Sequence, residues 1–508
     1  MSLQMRIAIA GAGVSGFATL GYLVESLRSM PSSEVTIYWL QPPRDIRTEN
    51  LSWSQRDRLA QLEERGLDPS RLLGGGQVYH PVQPSLFTFN GNSAARGFNF
   101  ADGRYDNTDY FEWVQANRDW LAALYPDFAP GKGQQRHPEH TLDDIQGTTP
   151  RGAFGLYLHA QVMALMAQLP KHITLQIIPK ALQGFEQNEQ TITLATRTRQ
   201  LEVDYLVQAM GPRFASIKPE WGNGGAMPSE YRVFNAYPCD RYGYNLPAQV
   251  TVVGAGASGI EVALHLRHNL QVEQVTLVSR RAQARLPQVE PTETYECQWF
   301  TRDNIGLQPT AKNAQSLLQK ELETCYRACG LPYPGWEAIA NIEDYPSFLT
   351  NYIETTDLSS NHPFAHLMRP VLSFYDRVKD LLPTAEQEAV LQLIDRVKPL
   401  FATQSRPCAE LLLAGIKAER IGLIAGDFLP EQPIPTVLHP EGTQTHPNCV
   451  ILATGFTSLP TYSLSSQVGT TRCYQVAGTS LSLVHKRAAD VAGTIVSSVS
   501  KSLSAIPL

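Results

Sequence analysis

The sequence lacks the features that would place it in a specialised class of protein. No apolar run reaches 18 residues and a predicted strand begins almost at once, so we expect neither a transmembrane helix nor a signal peptide. The net charge is only −6, which gives no reason to expect nucleic acid or an anionic membrane as a partner. The chain of 508 residues is 43% hydrophobic, enough for two or three domains with real cores.

The seven cysteines form no C-x-x-C pair and show no zinc-type spacing. Scattered thiols in odd number are typical of a reducing compartment, so we expect a cytoplasmic protein with no bound metal. Cys325 and Cys329 lie four residues apart on one face of a predicted helix. A disulfide across that spacing would strain the helix, so we interpret them as two separate thiols.

A repeated glycine turn is the most informative feature that is present. Each copy is an apolar strand, a G-x-G-x-x-G turn and a helix-like segment. The first glycine permits a tight bend, the second lets backbone approach a pyrophosphate, and the third lets the helix pack against the strand. The helix then presents free N–H groups to the phosphates. The predicted cofactor-binding residues are Gly11, Gly13, Ser15 and Gly16 in the first turn, and Gly254, Gly256, Ser258 and Gly259 in the second turn.

One such motif is a weak signal, but two in one chain indicate two dinucleotides and thus a flavin reduced by a nicotinamide. An acidic residue that binds ribose is expected where the second strand of each copy ends. The first copy has Gln41, which can make one hydrogen bond to ribose; Asp45, water and backbone are alternatives. The second copy has Arg280 and Arg281, which suit a 2′-phosphate and favour NADPH over NADH, unless they form a solvated basic turn.

Two later strands end in small residues that bring backbone close to a ligand. One ends at Gly211, and the other continues into Thr454 and Gly455, so all three are predicted to contact cofactor. Ser480 and His485 lie in a turn before a helix near the C-terminus and are candidate catalytic residues. For His485 the alternative is a structural histidine.

Two segments do not continue the alternation of strands and helices. Residues 74–76, three glycines in a row, either wrap the cofactor with backbone or form a flexible loop. Residues 290–400 contain three amphipathic helix candidates, at 315–328, 368–382 and 385–401. They either form a lid that shields a reaction from water or the surface of a homo-oligomer.

The order of these motifs resembles that of the two-dinucleotide-binding flavoproteins, close to class B flavin monooxygenases and amino-acid N-hydroxylases. In these families an FAD turn opens the chain, an NADPH turn lies in an inserted domain, and an A-T-G segment marks the return to the FAD domain. Residues 453–455 match that segment, although Asn448 replaces its acidic residue. The monooxygenase motif F-x-G-x-x-x-H-x-x-x-W is not intact, because residues 233–238 lack its Gly and His. The spacing R-x-x-F-G-x-Y-L after Pro150 resembles a less characterised FAD/NAD(P)-binding branch.

The resemblance implies an α/β fold with two Rossmann-like domains, for FAD and NADPH, the second inserted in the first. The expected FAD-binding ranges are 1–240 and 431–508, and the expected NADPH-binding range is 245–430 with a helical insertion at about 290–400. The implied function is an NADPH-dependent FAD monooxygenase that uses O2 for N- or S-hydroxylation, or Baeyer–Villiger oxygenation, of a small molecule. The alternatives are a flavin reductase without oxygenation and a non-catalytic FAD-binding sensor.

Overall fold

The computed structural model divides into two compact units, and the chain passes from the first to the second and back twice. Unit 1 comprises Met1–Ser216, Tyr237–Gly243 and Gly455–Leu508, and unit 2 comprises Ile217–Ala236 and Tyr244–Thr454. The structure describes residues 3–30, 33–89, 97–98, 100, 108–126, 149–188, 191–211, 230–287, 289, 295–358, 362–401, 404–454, 472–476 and 481–504.

Unit 1 is built on a five-stranded parallel sheet. Its central strand β1 (Leu3–Ala10) pairs with β2 (Ser33–Leu40) on one side and with β9 (Tyr205–Gln208) on the other. The full spatial order is Cys473–Gln475 (β18), β9, β1, β2 and Ile173–Ile178 (β5). The carboxyl halves of β1 and β2 and all of β9 are largely apolar and buried, as parallel strands covered on both faces usually are.

Two helices from opposite ends of unit 1's sequence share its core. Helix α1 (Val14–Leu27) follows β1 directly, and the C-terminal helix α15 (Leu481–Ser504) packs against it. The other helices of unit 1 are Trp53–Glu64 (α2), Asp109–Ala116 (α3), Arg118–Leu124 (α4) and Arg151–Ala167 (α5). Its other strands are Thr88–Phe89 (β3), Thr149–Pro150 (β4), Leu182–Gln187 (β6), Ile192–Thr196 (β7) and Gln200–Val203 (β8).

Unit 2 repeats the sheet of unit 1. Strand β11 (Gln249–Val253) lies in parallel between β12 (Gln274–Ser279) and β17 (Cys449–Leu452). The order is Arg232–Asn235 (β10), β17, β11, β12 and Ile421–Ala425 (β13). Helix α6 (Ala257–His268) follows β11, and α14 (Arg406–Lys417) leads into β13. A small antiparallel sheet follows, with strands Asp427–Phe428 (β14), Val437–Leu438 (β15) and Gln444–Thr445 (β16).

The insertion between β12 and α14 is helical, as expected, but more finely divided. One predicted helix, residues 368–382, is two helices that break at Ser373, three residues after Pro370, whose ring nitrogen has no hydrogen to donate. In the part of the insertion that the structure describes, the helices are Arg302–Leu307 (α7), Ala311–Ala328 (α8), Trp336–Ala340 (α9), Tyr345–Leu358 (α10), Pro363–Leu372 (α11), Phe374–Val378 (α12) and Thr384–Phe401 (α13).

The bounds of the two units differ from the expected ranges at strands β10 and β17. Strand β10 falls within the range 1–240 expected for the first domain, yet it pairs with β17 in the second sheet. Strand β17 falls within the return segment expected from residue 431, yet it lies between β10 and β11. All four residues of β17 are buried, as is usual for a strand inside a parallel sheet that is covered on both faces. The chain therefore returns to unit 1 after Thr454.

The expected fold class is confirmed, because each unit has a parallel sheet in which the central strand runs through a glycine turn into a helix. Among the helices that the structure describes, none is long and apolar enough to cross a membrane.

Candidate functional site

The two glycine turns have the same backbone geometry. Gly11 has φ +107° and Gly254 has φ +106°, in the left-handed region that favours glycine. The Gly11 N–H donates to Leu40 O at the end of β2 (3.0 Å), and the Gly254 N–H donates to Val278 O near the end of β12 (2.8 Å). Each turn is therefore hydrogen-bonded to the strand after which a ribose-binding residue is expected.

The third glycine of each turn lies against the first. A Cβ on Gly16 would be 1.9 Å from Gly11 O, and a Cβ on Gly259 would be 1.7 Å from Gly254 O. Both distances are far inside van der Waals contact, so no side chain fits at either position. Ser15 and Ser258 are the second residues of α1 and α6, at the helix ends where N–H groups face a phosphate.

The residue after β9 and the residue after β17 are hydrogen-bonded in the same way to the strand that enters each turn. The Ala209 N–H donates to Ala10 O at 2.8 Å, and the Ala453 N–H donates to Val253 O at 2.8 Å. Gly211, with φ +76°, and the exposed Thr454 come next. Gly455 and Ser480 lie outside the described residues.

The middle glycine of the first turn faces the backbone of residues 74–76. The Gly74 N–H donates to Ala12 O at 2.9 Å, and a Cβ on Gly76 would lie 3.2 Å from Gly13 Cα. Helix α5 supports this loop from behind, because a Cβ on Gly155 would lie 1.7 Å from Tyr79 O. The three glycines thus form part of the wall of the first turn, and the R-x-x-F-G-x-Y-L spacing places Gly155 at the contact.

Gln41 follows β2, and the NH2 group of its side-chain amide is hydrogen-bonded. Its Nε2 donates to Leu72 O at 3.0 Å, while its buried Oε1 has no partner. Since a carbonyl oxygen only accepts, the NH2 group must face Leu72, and Oε1 is left as an acceptor. Asp45, the alternative ribose ligand, is largely exposed and pairs with Arg241 at 3.2 Å.

No sequence pattern marks Arg44, because the fold predicts an acidic residue after β2. Its Nη2 donates to Asp240 at 2.6 Å, and that carboxylate is fully buried. The Nε and Nη1 atoms of Arg44 are buried and have no partner. Burial, and next the charge of Arg44, lower the pKa of His80 well below its usual value. The two partnerless N–H groups of Arg44 therefore lie in an environment where another positive charge is disfavoured.

The second strand end is basic. Arg280 and Arg281 are exposed, and Arg281 Nη1 donates to Arg396 O of α13 at 2.5 Å. Partial burial and then the charges of Arg396 and Arg280 lower the pKa of Arg281. Cations at such spacing are typical of an anion site. Nothing in the sequence pattern marked Arg285, whose Nη2, Nε and Cζ would lie 3.6, 3.7 and 3.9 Å from a Cβ on Gly256.

His485 lies on α15 and is 2% exposed. Its Nδ1 is 2.9 Å from the hydroxyl of Tyr22 on α1, and its ring packs against Phe98 with centroids 4.6 Å apart. Burial lowers the pKa of His485 to about 4, so the ring is neutral at neutral pH. These contacts match the structural interpretation of this histidine.

All seven cysteines lie among the described residues and are free thiols, Cys325 and Cys329 included. Within the described part of the chain, no group of three or more His, Cys, Asp or Glu side chains is placed to hold a metal ion.

Comparisons with known proteins support a dinucleotide-binding assignment. Residues 65–213 match the model of the family described as FAD-NAD(P)-binding. The matched range contains residues 74–76, helix α5 and strand β9. No curated protein matches the sequence. The family description names the two expected kinds of cofactor, FAD and a nicotinamide dinucleotide.

Solved structures similar to the chain include flavoenzymes of several kinds. Ornithine N-hydroxylase from Kutzneria sp. 744 is 12% identical, with TM-score 0.46 and coverage of 98% of this chain and 99% of that one. A cyclohexanone monooxygenase mutant from Rhodococcus sp. Phi1 is 12% identical, with TM-score 0.42 and coverage of 98% and 86%. Thioredoxin reductase from Lactococcus lactis is 10% identical, with TM-score 0.38 and coverage of 97% and 99%. Residues 65–213 are thus similar to an FAD/NAD(P)-binding family, and the chain carries a glycine turn on each of two parallel sheets outside that range.

Proposed function

We propose that this chain is an NADPH-dependent FAD monooxygenase acting on a small molecule. One observation carries the proposal: two glycine turns of equal backbone geometry, each at the carboxyl edge of its own parallel sheet, lie in one chain. Ligands bind at that edge in open α/β sheets, and each turn serves one dinucleotide. A flavin paired with a nicotinamide is the combination that two such sites in one enzyme support.

The residues at the first turn fit FAD. Gly13 and the loop of residues 74–76 form a wall of backbone that a pyrophosphate can approach closely. The partnerless Oε1 of Gln41 is an acceptor for a ribose hydroxyl, in place of the usual carboxylate. The two partnerless N–H groups of Arg44, three residues after Gln41, are further candidate donors. Buried polar atoms of this kind are usually satisfied, so their state here supports a ligand.

The residues at the second turn fit NADPH. Arg280 and Arg281 follow β12, where an acidic residue would instead bind the 2′-hydroxyl of NADH. Guanidinium groups hold a phosphate through two parallel hydrogen bonds. The arginine cluster supports a ligand that carries one phosphate more than NADH.

Bound FAD would supply the redox chemistry, namely acceptance of a hydride from NADPH and reaction with O2. Overall, NADPH, a proton, O2 and the substrate give NADP⁺, water and the oxygenated substrate. The side chains of the protein bind and orient the two cofactors, and no side-chain acid or base is needed for the redox steps. Accordingly, the neutral, buried His485 has a packing role in this proposal.

The thiols of unit 1 favour oxygen over a disulfide as the electron acceptor. A disulfide reductase uses a pair of neighbouring cysteines beside the flavin. The buried Cys239 is contacted instead by Gln55, and burial raises its pKa to about 12. Cys473 is contacted by Gln208. Both environments are those of inert structural thiols.

The test is to purify the protein, record its visible spectrum, and mix it with NADPH or NADH without oxygen and then with O2. We expect a yellow protein that NADPH bleaches faster than NADH. Amines, sulfides and ketones serve as substrate probes, and an effective probe should gain one labelled atom from ¹⁸O2. A colourless protein that cannot be reconstituted with FAD would contradict the proposal. Bleaching followed by electron transfer to other acceptors, without oxygen incorporation, would identify a reductase.

A further inference from the structure

We propose that Arg285 binds the pyrophosphate of the nicotinamide dinucleotide at the second turn, and that the helical insertion positions it. The inference rests on the proposed NADPH site. It adds a binding residue to that site and gives the insertion a positioning role.

The first step is the place of the Arg285 side chain. Three atoms of its guanidinium group lie 3.6 to 3.9 Å from the point where a Cβ on Gly256 would stand. Gly256 is the middle glycine, the one whose missing side chain lets a pyrophosphate approach the backbone. The guanidinium therefore lies beside the path of that group, with N–H donors suited to two phosphate oxygens.

The second step concerns the arginine loop, residues 280–287, which follows β12. A hydrogen bond closes the first part of the loop against the end of β12, because Ser279 Oγ accepts from the Gln283 N–H at 3.1 Å. Ala282 within it has φ +50°, a strained conformation for a residue with a side chain. A strained residue persists only where the surroundings hold it, so the loop has one defined shape.

The third step is the attachment of this loop to the insertion. The Tyr345 hydroxyl, at the start of α10, donates to Arg285 O at 3.1 Å, and Gln404 Nε2 donates to the same oxygen at 2.7 Å. The Gln404 N–H donates to Leu286 O at 3.0 Å. Tyr345 and Gln404 are both buried, so these bonds are shielded from water.

Two further contacts attach the earlier part of the loop. Arg281 donates to Arg396 O, and Gln283 Nε2 donates to Ile342 O at 3.2 Å. The bonds to Arg285 end on its main-chain oxygen, so they fix the backbone from which the guanidinium projects over Gly256. The insertion thus supports the arginine loop along its length.

The arginines of this loop meet different parts of the ligand. A pyrophosphate is common to NADP⁺ and NAD⁺, whereas a 2′-phosphate is present only in NADP⁺. Loss of the Arg285 charge should therefore weaken both ligands by the same factor. Loss of Arg280 and Arg281 together should weaken NADP⁺ far more than NAD⁺.

The experiment measures the binding of NADP⁺ and of NAD⁺ to the FAD-loaded protein by calorimetry. We expect Arg285→Gln to weaken both about 10- to 100-fold, as for loss of charged hydrogen bonds. Arg285→Lys should restore part of the loss for both. Tyr345→Phe should weaken both by the same smaller factor, about threefold, because it removes one bond that positions Arg285. The matched control is Arg327→Ala, which removes an exposed charge on α8 of the same unit and should change neither.

Unchanged binding in Arg285→Gln, or a loss confined to NADP⁺, would overturn the inference while leaving the NADPH site intact. If the unaltered protein binds neither dinucleotide, the proposed function fails together with the inference. Arg285→Lys and Tyr345→Phe keep the test decisive should Arg285→Gln fold poorly, since a common loss for both ligands is expected from each.

Discussion

The two glycine turns are built alike and differ in what faces them. Their first glycines share φ near +107°, and their third glycines touch the first. The middle glycine, however, faces the neutral backbone of residues 74–76 in unit 1 and the guanidinium of Arg285 in unit 2. In the proposed function the turn serves as the dinucleotide site, and the segment brought against it from elsewhere in the chain distinguishes the two ligands.

The largest effect is expected from the third glycines. In Gly16→Ala the new Cβ would meet Gly11 O, and in Gly259→Ala it would meet Gly254 O. Overpacking costs about 1–3 kcal/mol, which corresponds to about 5- to 150-fold in affinity. We expect Gly16→Ala to lose FAD absorbance but keep NADP⁺ binding, and Gly259→Ala to do the reverse.

Two glycines with room for a side chain are the matched controls for this pair. A Cβ on Gly184 of unit 1 meets nothing within 4 Å, and a Cβ on Gly306 of unit 2 is 3.9 Å from its nearest neighbour. Neither alanine variant should change cofactor content. Equal loss of both cofactors in Gly16→Ala and Gly259→Ala would show that the two turns do not bind separately.

An intermediate effect is expected where β2 ends. The dinucleotide-binding fold usually has an acidic residue where Gln41 stands, so Gln41→Glu restores that pattern. Here it should weaken FAD binding about tenfold, because a carboxylate has no N–H to donate to Leu72 O and would place two acceptors together. Fluorescence titration of the apoprotein with FAD measures the change. Tighter binding would mean that the side chain turns its carboxylate to the ribose and that Leu72 does not fix it.

The smallest effect concerns a buried histidine in each unit. Burial lowers the pKa of His485 in unit 1 and of His265 in unit 2 from 6.5 to about 4. The unfolded chain thus takes up a proton first, so stability is complete above pH 6.5 and falls as the pH drops towards 4. His485→Gln keeps an acceptor for Tyr22 but does not titrate.

Thermal unfolding between pH 4 and 7 tests this expectation. When unfolding is followed by FAD release, the free energy of unfolding should depend on pH less steeply, by about one proton, in His485→Gln. His265→Gln should leave that pH dependence unchanged. The pH dependence of flavin reduction should be the same in His485→Gln as in the unaltered protein. A shifted rate profile would restore His485 as a catalytic candidate.

The features that sequence predicted well are local. Each glycine of the turns has a role set within six residues, so both turns and the helices after them follow from the pattern alone. The matching returns at Ala209 and Ala453 were visible because the same kind of strand end occurs twice. The candidate cofactor residues at these places are proposals that the geometry supports.

The features that sequence missed depend on contacts between distant residues. Arg285 approaches Gly256 without any periodicity that marks it, and the sequence left open whether residues 74–76 form a wall or a flexible loop. Strand β17 joins β11 only after the chain has passed through the whole insertion, so no local pattern chooses between the two sheets. The amide of Gln41 has a defined orientation only because Leu72 lies opposite.

The division of unit 1 into three chain segments has a consequence for synthesis on the ribosome. Strand β18 and helix α15 come from the last segment, while all of unit 2 precedes them. Domains fold as they emerge, so unit 2 is complete while the apolar face of α1 still lacks Val484, Ala488 and Ile495. The first glycine turn to leave the ribosome thus belongs to the unit whose core is completed last.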